Sequence, residues 1–201
     1  MGLDSYIAKQ CKAPNGVGGR VVSAIMSKQN QPMYEETKRF LSLSSADHVL
    51  DIGCGNGYVL AGLAKQYSCV CTGIDISKSI LKTAEHRNKK LIKEGKISFS
   101  CQNAHSMAFL DDTFDKVYTI NTVYFWESLK GVMVEIRRVL KPSGFFMNTF
   151  YSNETLSRLS HTQFGYHKYT VEQIITASKN AGFEVRVMPI LDEAGYCVIC
   201  T

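Results

Sequence analysis

No run of apolar residues in this 201-residue chain approaches the roughly 20 that a bilayer-spanning helix needs. Nor does the amino terminus show the basic start and apolar stretch of a secretory leader. A soluble, cytoplasmic protein with no membrane partner is therefore expected. Internal repeats and low-complexity linkers are also missing, so residues 1–201 are read as one domain. The cysteines do not form a disulfide or metal framework. Seven is an odd number, and Cys69, Cys71, Cys101 and Cys197 sit in apolar, strand-like runs where cysteine behaves as a small hydrophobe. The one Cys-x-x-Cys, Cys197 to Cys200, also falls in a strand-like run, where residues three apart point to opposite faces. No metal site is expected.

What is present suits a globular protein with one sizeable core: 45% hydrophobic and 20% charged residues. The net charge of +5 would suit an anionic partner, but the basic residues are spread along the chain. They are densest in "SKSILKTAEHRNKKLIKEGK" (77–96), which places Ile80, Leu81, Ala84, Leu91 and Ile92 near one helical face and the lysines largely on the other. That pattern predicts an amphipathic packing helix in preference to a nucleic-acid patch.

From about residue 47 to 190, short apolar runs alternate with helical patterns, the mark of a parallel sheet covered by helices. Strands are predicted at 48–52, 68–76, 97–104, 114–122, 144–151, 183–190 and 195–201, the last two separated by "LDEA" and able to pair as a hairpin. Helices are predicted at 58–67, 77–96, 129–140 and 171–182, the third stopped by Pro142 and Gly144. In front lies an extension of about 45 residues in which "GGRVVSAIMSK" and "PMYEETKRFLSL" look helical. "PNGVGGR" (14–20) follows no strand and reads as a flexible turn.

The stretch "VLDIGCGNGY" (49–58) runs a strand into Gly53, Gly55 and Gly57. A glycine loop opening into a helix gathers backbone N–H groups and suits a phosphate or carboxylate. Gly57-Tyr58-Val59 is not the Gly-Lys-Ser/Thr of a P-loop, and counting from Gly53 the third small residue of a dinucleotide fingerprint falls on Tyr58. The register is wrong for NAD.

The Asp-x-Gly-x-Gly-x-Gly pattern resembles the S-adenosylmethionine loop of the class I methyltransferases. "FDKVYTINTVYFWESLKGVMVEIRRVLKPSGFF" (114–146) is similar to that family's FD-x-V strand, aromatic segment and RVLKPGG turn, with Ser143 replacing the first glycine. The likeness covers residues 48–151, is extended by "YTVEQI" and "AGFEV" (169–185), and is nearest to small-molecule enzymes of the ubiquinone/menaquinone methyltransferase type. It implies a Rossmann-like, seven-stranded, mostly parallel sheet with a C-terminal antiparallel hairpin and helices on both faces. The core would span 46–201, with 1–45 as a helical extension or lid.

The cofactor implied is S-adenosyl-L-methionine. By resemblance, Gly53, Gly55 and Gly57 receive its methionine portion and Asp51 lies near its ammonium. Asp75, ending the next strand, accepts from the ribose hydroxyls. Ile76 covers one adenine face or belongs to the core. Asn103, where the family usually carries an acidic residue, and Ala104 lie at the adenine. Asn121, with Thr122, runs past the methyl group.

The acceptor should sit where strand four ends. There Tyr124, Phe125 and Trp126 form an aromatic wall or flank the sulfonium; alternatively Phe125 and Trp126 pack the following helix. The candidate catalytic residues are Tyr124, His161 and His167, the histidines being titratable near neutral pH or plain surface residues. Glu127 is a further base candidate or a helix N-terminal charge. Tyr34 and the helix before it are expected to cover the cofactor. Asn121-Thr122-Val123-Tyr124 lacks the Asn/Asp-Pro-Pro-Tyr/Phe motif of base-amine and glutamine methylases. The partner expected is a small-molecule methyl acceptor and not a nucleic acid, with the chain a monomer or homodimer. An RNA or protein methyltransferase, or a cofactor-binding module without catalysis, is the alternative.

Overall fold

The structure, a computed structural model, describes residues 2–201. Three helices precede the first strand: α1 (Leu3–Lys12), α2 (Gly16–Gln29) and α3 (Gln31–Phe40). Next come β1 (His48–Ile52), α4 (Tyr58–Tyr67), β2 (Val70–Asp75), α5 (Lys78–Arg87), α6 (Lys89–Lys93), β3 (Ile97–Cys101) and β4 (Phe114–Ile120). A 3₁₀ turn at Val123–Phe125 leads to α7 (Leu129–Val139), β5 (Leu140–Tyr151) and α8 (Asn153–Ser157). A second 3₁₀ turn, Ser160–Gln163, leads to α9 (Val171–Asn180), β6 (Val185–Ile190) and β7 (Gly195–Cys200).

The sheet order is β3-β2-β1-β4-β5-β7-β6. β3 through β5 are parallel neighbours, and β7 runs antiparallel to both β5 and β6. The expected mostly parallel sheet with a terminal hairpin is therefore what forms. The chain builds outward from β1 to β3, then crosses back to place β4 on the other side of β1. The crevice at such a reversal lies beyond the carboxyl ends of β1 and β4.

Strand alternation divides the core in two. Leu50, Ile52, Val117, Phe146, Phe150 and Val198 face α7 and α9. Val49, Cys71, Tyr118, Met147 and Cys197 face Met33 of α3 and Leu60 and Leu63 of α4. Cys197 and Cys200 fall in opposite cores, as their spacing requires. Asp51, between Leu50 and Ile52, is turned toward the second face, beside Tyr118.

Several sequence expectations are corrected. α1 was not anticipated, and α2, expected from Gly18, already starts at Gly16, so of the "PNGVGGR" turn only Pro14 and Asn15 stay outside a helix. A Cβ at Gly19 would stand 2.8 Å from the Pro14 carbonyl carbon, so the glycine lets α2 begin hard against the end of α1. The 77–96 helix is two helices, broken at the buried Asn88, whose side-chain amide donates to the Ala84 carbonyl at 2.9 Å. The break turns Ile92 outward, away from the face that buries Leu91. Strand three ends at Cys101, before Asn103 and Ala104, and strand two is Val70–Asp75. β5 begins at Leu140, directly after α7, with a register shift beside Phe114 and Lys116. Lys141 then pairs with Asp115 at 2.8 Å, joining the two strand-end motifs to each other.

Asn148 in β5 is fully buried, and neither its amide nitrogen nor its oxygen has a partner among the described residues. Such a group costs about 1–3 kcal/mol. Asn148→Leu is expected to raise the thermal midpoint by a few degrees in a calorimetric scan; a lower midpoint would show that the amide is satisfied in solution. No helix among the described residues is long and apolar enough to cross a membrane.

Candidate active site

β1 delivers Asp51 and then turns through Gly53, Gly55 and Gly57, all at positive φ (75°, 53° and 68°). Gly53 is required twice over, because a Cβ there would also overlap the Thr122 side chain at the end of β4. The loop is tied to β2 by backbone bonds from Gly53 N–H (2.8 Å) and Cys54 N–H (3.0 Å) to the Ile74 carbonyl. Asp75 closes the frame: one carboxylate oxygen accepts from Gly55 N–H at 3.1 Å and the other from Ser77 N–H at 2.8 Å. Each oxygen keeps a lone pair for a ligand hydroxyl.

Asp51 is 4% exposed and accepts the Tyr118 hydroxyl at 2.7 Å. Burial pushes its carboxyl up to about 7, Tyr118 opposes the shift and Asp75 adds to it. No cation pairs with it among the described residues. It is an acceptor matched to a positively charged ligand group.

Asp51, Gly53, Gly55 and Asp75 line a cavity of about 540 Å³ beyond the carboxyl ends of the central strands, within the range of small-molecule sites. Gly57, expected beside them, instead caps α4 and packs against Phe99 and Asn88, outside the lining. Ile76 also lines it and is 45% exposed, so it presents a free face to the cavity and does not belong to the core. Asn103 and Ala104 are there too. The Asn103 carbonyl accepts both the backbone N–H and the Nδ1–H of His105, each at 3.0 Å, and His105 Nε2 accepts Ser128 N–H at 3.2 Å. Much of the Asn103 acceptor capacity therefore serves to fix His105.

At the end of β4, Asn121 adopts φ 57°. Its side-chain oxygen accepts the Tyr124 hydroxyl at 3.0 Å, while its buried amide nitrogen has no partner among the described residues. Tyr124 also accepts the Tyr151 N–H. Burial holds its phenol well above the ordinary range. Tyr124 therefore stays neutral and presents an aromatic wall with an anchored hydroxyl. Its ring stacks on Tyr166 at 5.6 Å, and Phe125 meets Tyr166 edge-on at 4.7 Å. Trp126 is 5% exposed and packs in the core beneath them, though its edge reaches the cavity.

The two histidines separate. His161 lines the cavity and is half-buried; burial lowers its pKa, favouring the neutral imidazole, and Asp4 opposes the shift. His167 is exposed, stacks on Tyr169 at 5.6 Å and does not reach the cavity. Its segment is held by its backbone N–H on the Tyr124 carbonyl at 2.8 Å, which turns the ring outward. Exposed Glu127 lies at the rim.

The extension closes the site. Val22, Ser23, Met26 and Ser27 of α2, Tyr34 of α3 and Cys11 of α1 all line the cavity. Asn56 in the glycine loop donates to Ser27 Oγ at 3.0 Å, and Ser77 donates to the Pro14 carbonyl. Cys11, Ser27, His105 and Tyr166 were not anticipated. The signal for the α2 contribution was the 22, 23, 26, 27 spacing, one helical face; nothing local marks Cys11 or Tyr166, whose side chains meet only in the fold.

A family model described as a methyltransferase domain matches residues 50–148. The O-methyltransferase resE of Aspergillus sclerotiorum is 31% identical over 117 residues, covering 58% of this chain and 44% of that protein. This chain therefore spans less than half the length of such curated relatives. A Haloferax volcanii methyltransferase in complex with the Trm112 methyltransferase activator matches with a TM-score of 0.83, covering 98% of this chain and 97% of that one. At 18% identity it speaks to the fold alone. Phosphoethanolamine N-methyltransferase 2 of Haemonchus contortus, in complex with S-adenosyl-L-methionine, matches with a TM-score of 0.66 at 25% identity, covering 78% of this chain and 38% of that one.

Proposed function

Because the chain belongs to the class I S-adenosylmethionine-dependent methyltransferases, we propose that it transfers the methyl group of that cofactor to a small, largely apolar acceptor carrying one ionisable hydroxyl. The observation that carries this reading is the two-part cavity. One part is polar and framed by the glycine loop, Asp51 and Asp75; the other is walled by Tyr124, Phe125 and Tyr166 with His161 alongside.

The residues fit the cofactor. Asp51 is a buried carboxylate lacking a cation and suits its ammonium, Asp75 suits the ribose hydroxyls, and Ile76 suits one adenine face. Bound there, S-adenosylmethionine supplies a methyl group already activated on a sulfonium, for in-line displacement. The aromatic wall orients the acceptor and excludes water, and α2 with Tyr34 shuts the site from above. Neutral His161 takes the acceptor proton at an imidazole nitrogen. The seven cysteines are all free, which suits a reducing compartment such as the cytoplasm.

His161→Ala is expected to lower kcat toward hydroxyl acceptors about 100-fold or more while leaving cofactor affinity unchanged. Since the His161 pKa is lowered, the acid limb of the wild-type rate profile should lie below the ordinary histidine range. A panel of phenols, alcohols and amines with labelled cofactor tests the reading; transfer to amines that is indifferent to His161→Ala would remove the base from the mechanism. Deleting residues 1–30 is expected to weaken cofactor binding about tenfold, through loss of the α2 cover. Unchanged affinity and turnover would defeat the lid.

A further inference from the structure

α2 carries apolar side chains on two faces. Its inner face lines the cavity, while Val17 (71% exposed), Val21 (54%) and Ile25 (50%) form an outer stripe at four-residue spacing. Arg20 and Lys28 fall on that same outer face, and the chain has no Asp or Glu from Ser5 to Tyr34.

α2 packs against α5, the start of the basic segment. Residues 77–96 hold seven Lys or Arg against two Glu, a net +5 equal to the charge of the whole chain, so the rest of the molecule is neutral. Lys78, Lys82, Arg87, Lys89 and Lys93 are exposed and make no ion pair among the described residues. Exposed Ile92 stands among the last of them. The unpartnered apolar stripe and the concentrated charge thus belong to neighbouring elements.

We propose that the outer face of α2 and the cations of α5 and α6 dock this protein on the surface of an anionic lipid bilayer. α2 lies in the interface with Val17, Val21 and Ile25 among the acyl boundary, Arg20 and Lys28 snorkel to the headgroups, and nothing crosses. Each added cation near the surface strengthens the attraction. Single-stranded nucleic acid fits less well, because neither Gly16–Gln29 nor the 77–96 segment contains a Phe, Tyr or Trp on which bases stack. A second copy fits less well because two such faces carry like charge. The proposal does not depend on the methyl-transfer reading.

The test is sedimentation of the full chain with phosphatidylcholine vesicles, with and without phosphatidylserine, at low and high salt. Binding should be about tenfold or more stronger with phosphatidylserine and should fall as salt rises. Val21→Ser with Ile25→Ser, and separately Lys82→Gln with Lys89→Gln and Lys93→Gln, should each cut it about tenfold, with the melting temperature and S-adenosylhomocysteine affinity unchanged. None of these side chains lines the cavity. No vesicle binding, binding indifferent to phosphatidylserine, or loss only in variants that also melt early would overturn the proposal. So would a dimer abolished by the α2 pair, or tight binding of an RNA oligonucleotide, in the absence of vesicle binding.

Discussion

Asp75→Ala is expected to weaken S-adenosylhomocysteine binding about 100-fold or more by calorimetry. Two ribose hydroxyls bonded to one carboxylate contribute about 1.5–3 kcal/mol each, and a loss of about 3 kcal/mol is already beyond 100-fold. The same substitution frees Gly55 N–H and Ser77 N–H, so part of the loss comes through the loop. Asp75→Asn keeps one acceptor oxygen but turns an amide NH2 toward the other backbone N–H, so it should lose less than Asp75→Ala, about tenfold. Near-normal binding by Asp75→Ala would place the ribose elsewhere.

The second large effect concerns Asp51, where function and stability oppose each other. In the unfolded chain its pKa is about 3.9; in the fold burial raises it to about 7. Between those values the unfolded chain releases a proton that the folded protein keeps, so stability falls as pH rises through that window and is level above it. The full cost is on the order of 4 kcal/mol. Asp51→Asn retains an acceptor for the Tyr118 hydroxyl and removes the penalty. At pH 8 its thermal midpoint should rise by roughly 8–16 °C, while cofactor affinity falls because the buried anion facing the ammonium is gone. In the wild type, binding should strengthen as pH rises toward 7 and then level off; Asp51→Asn should show no such rise. A variant that is less stable at pH 8 would show that Asp51 is ionised and paired in the free protein.

The frame of this site was legible because it depends on local pattern. The strand ending in Asp51, the three glycines and the strand ending in Asp75 are each short and contiguous, and the parallel order of β1 and β2 follows from the helix between them. What escaped depends on contacts between distant segments. Gly16 and Val17 read as a turn on propensity, yet α2 starts with them, and Gly19 permits its close packing on Pro14. Asn88 read as one more polar helix residue, yet it breaks the helix because its buried side chain bonds to backbone. His161 and His167 were equivalent in sequence, and only the 3₁₀ turn at Ser160–Gln163 and the anchoring of His167 to Tyr124 send one ring inward and the other out. Tyr124 was identified as part of the wall, but the engagement of its hydroxyl by Asn121 and Tyr151 required β4 and β5 side by side.

The central claim is that the cavity at the crossing of β1 and β4 receives S-adenosylmethionine and not another nucleotide. Calorimetric titration of the purified chain with S-adenosylhomocysteine and, separately, NAD tests it most directly. Saturable binding of S-adenosylhomocysteine at one site, with a dissociation constant of about 1–100 µM, and no heat from NAD is the predicted result. Saturable binding of NAD with none of S-adenosylhomocysteine would contradict it.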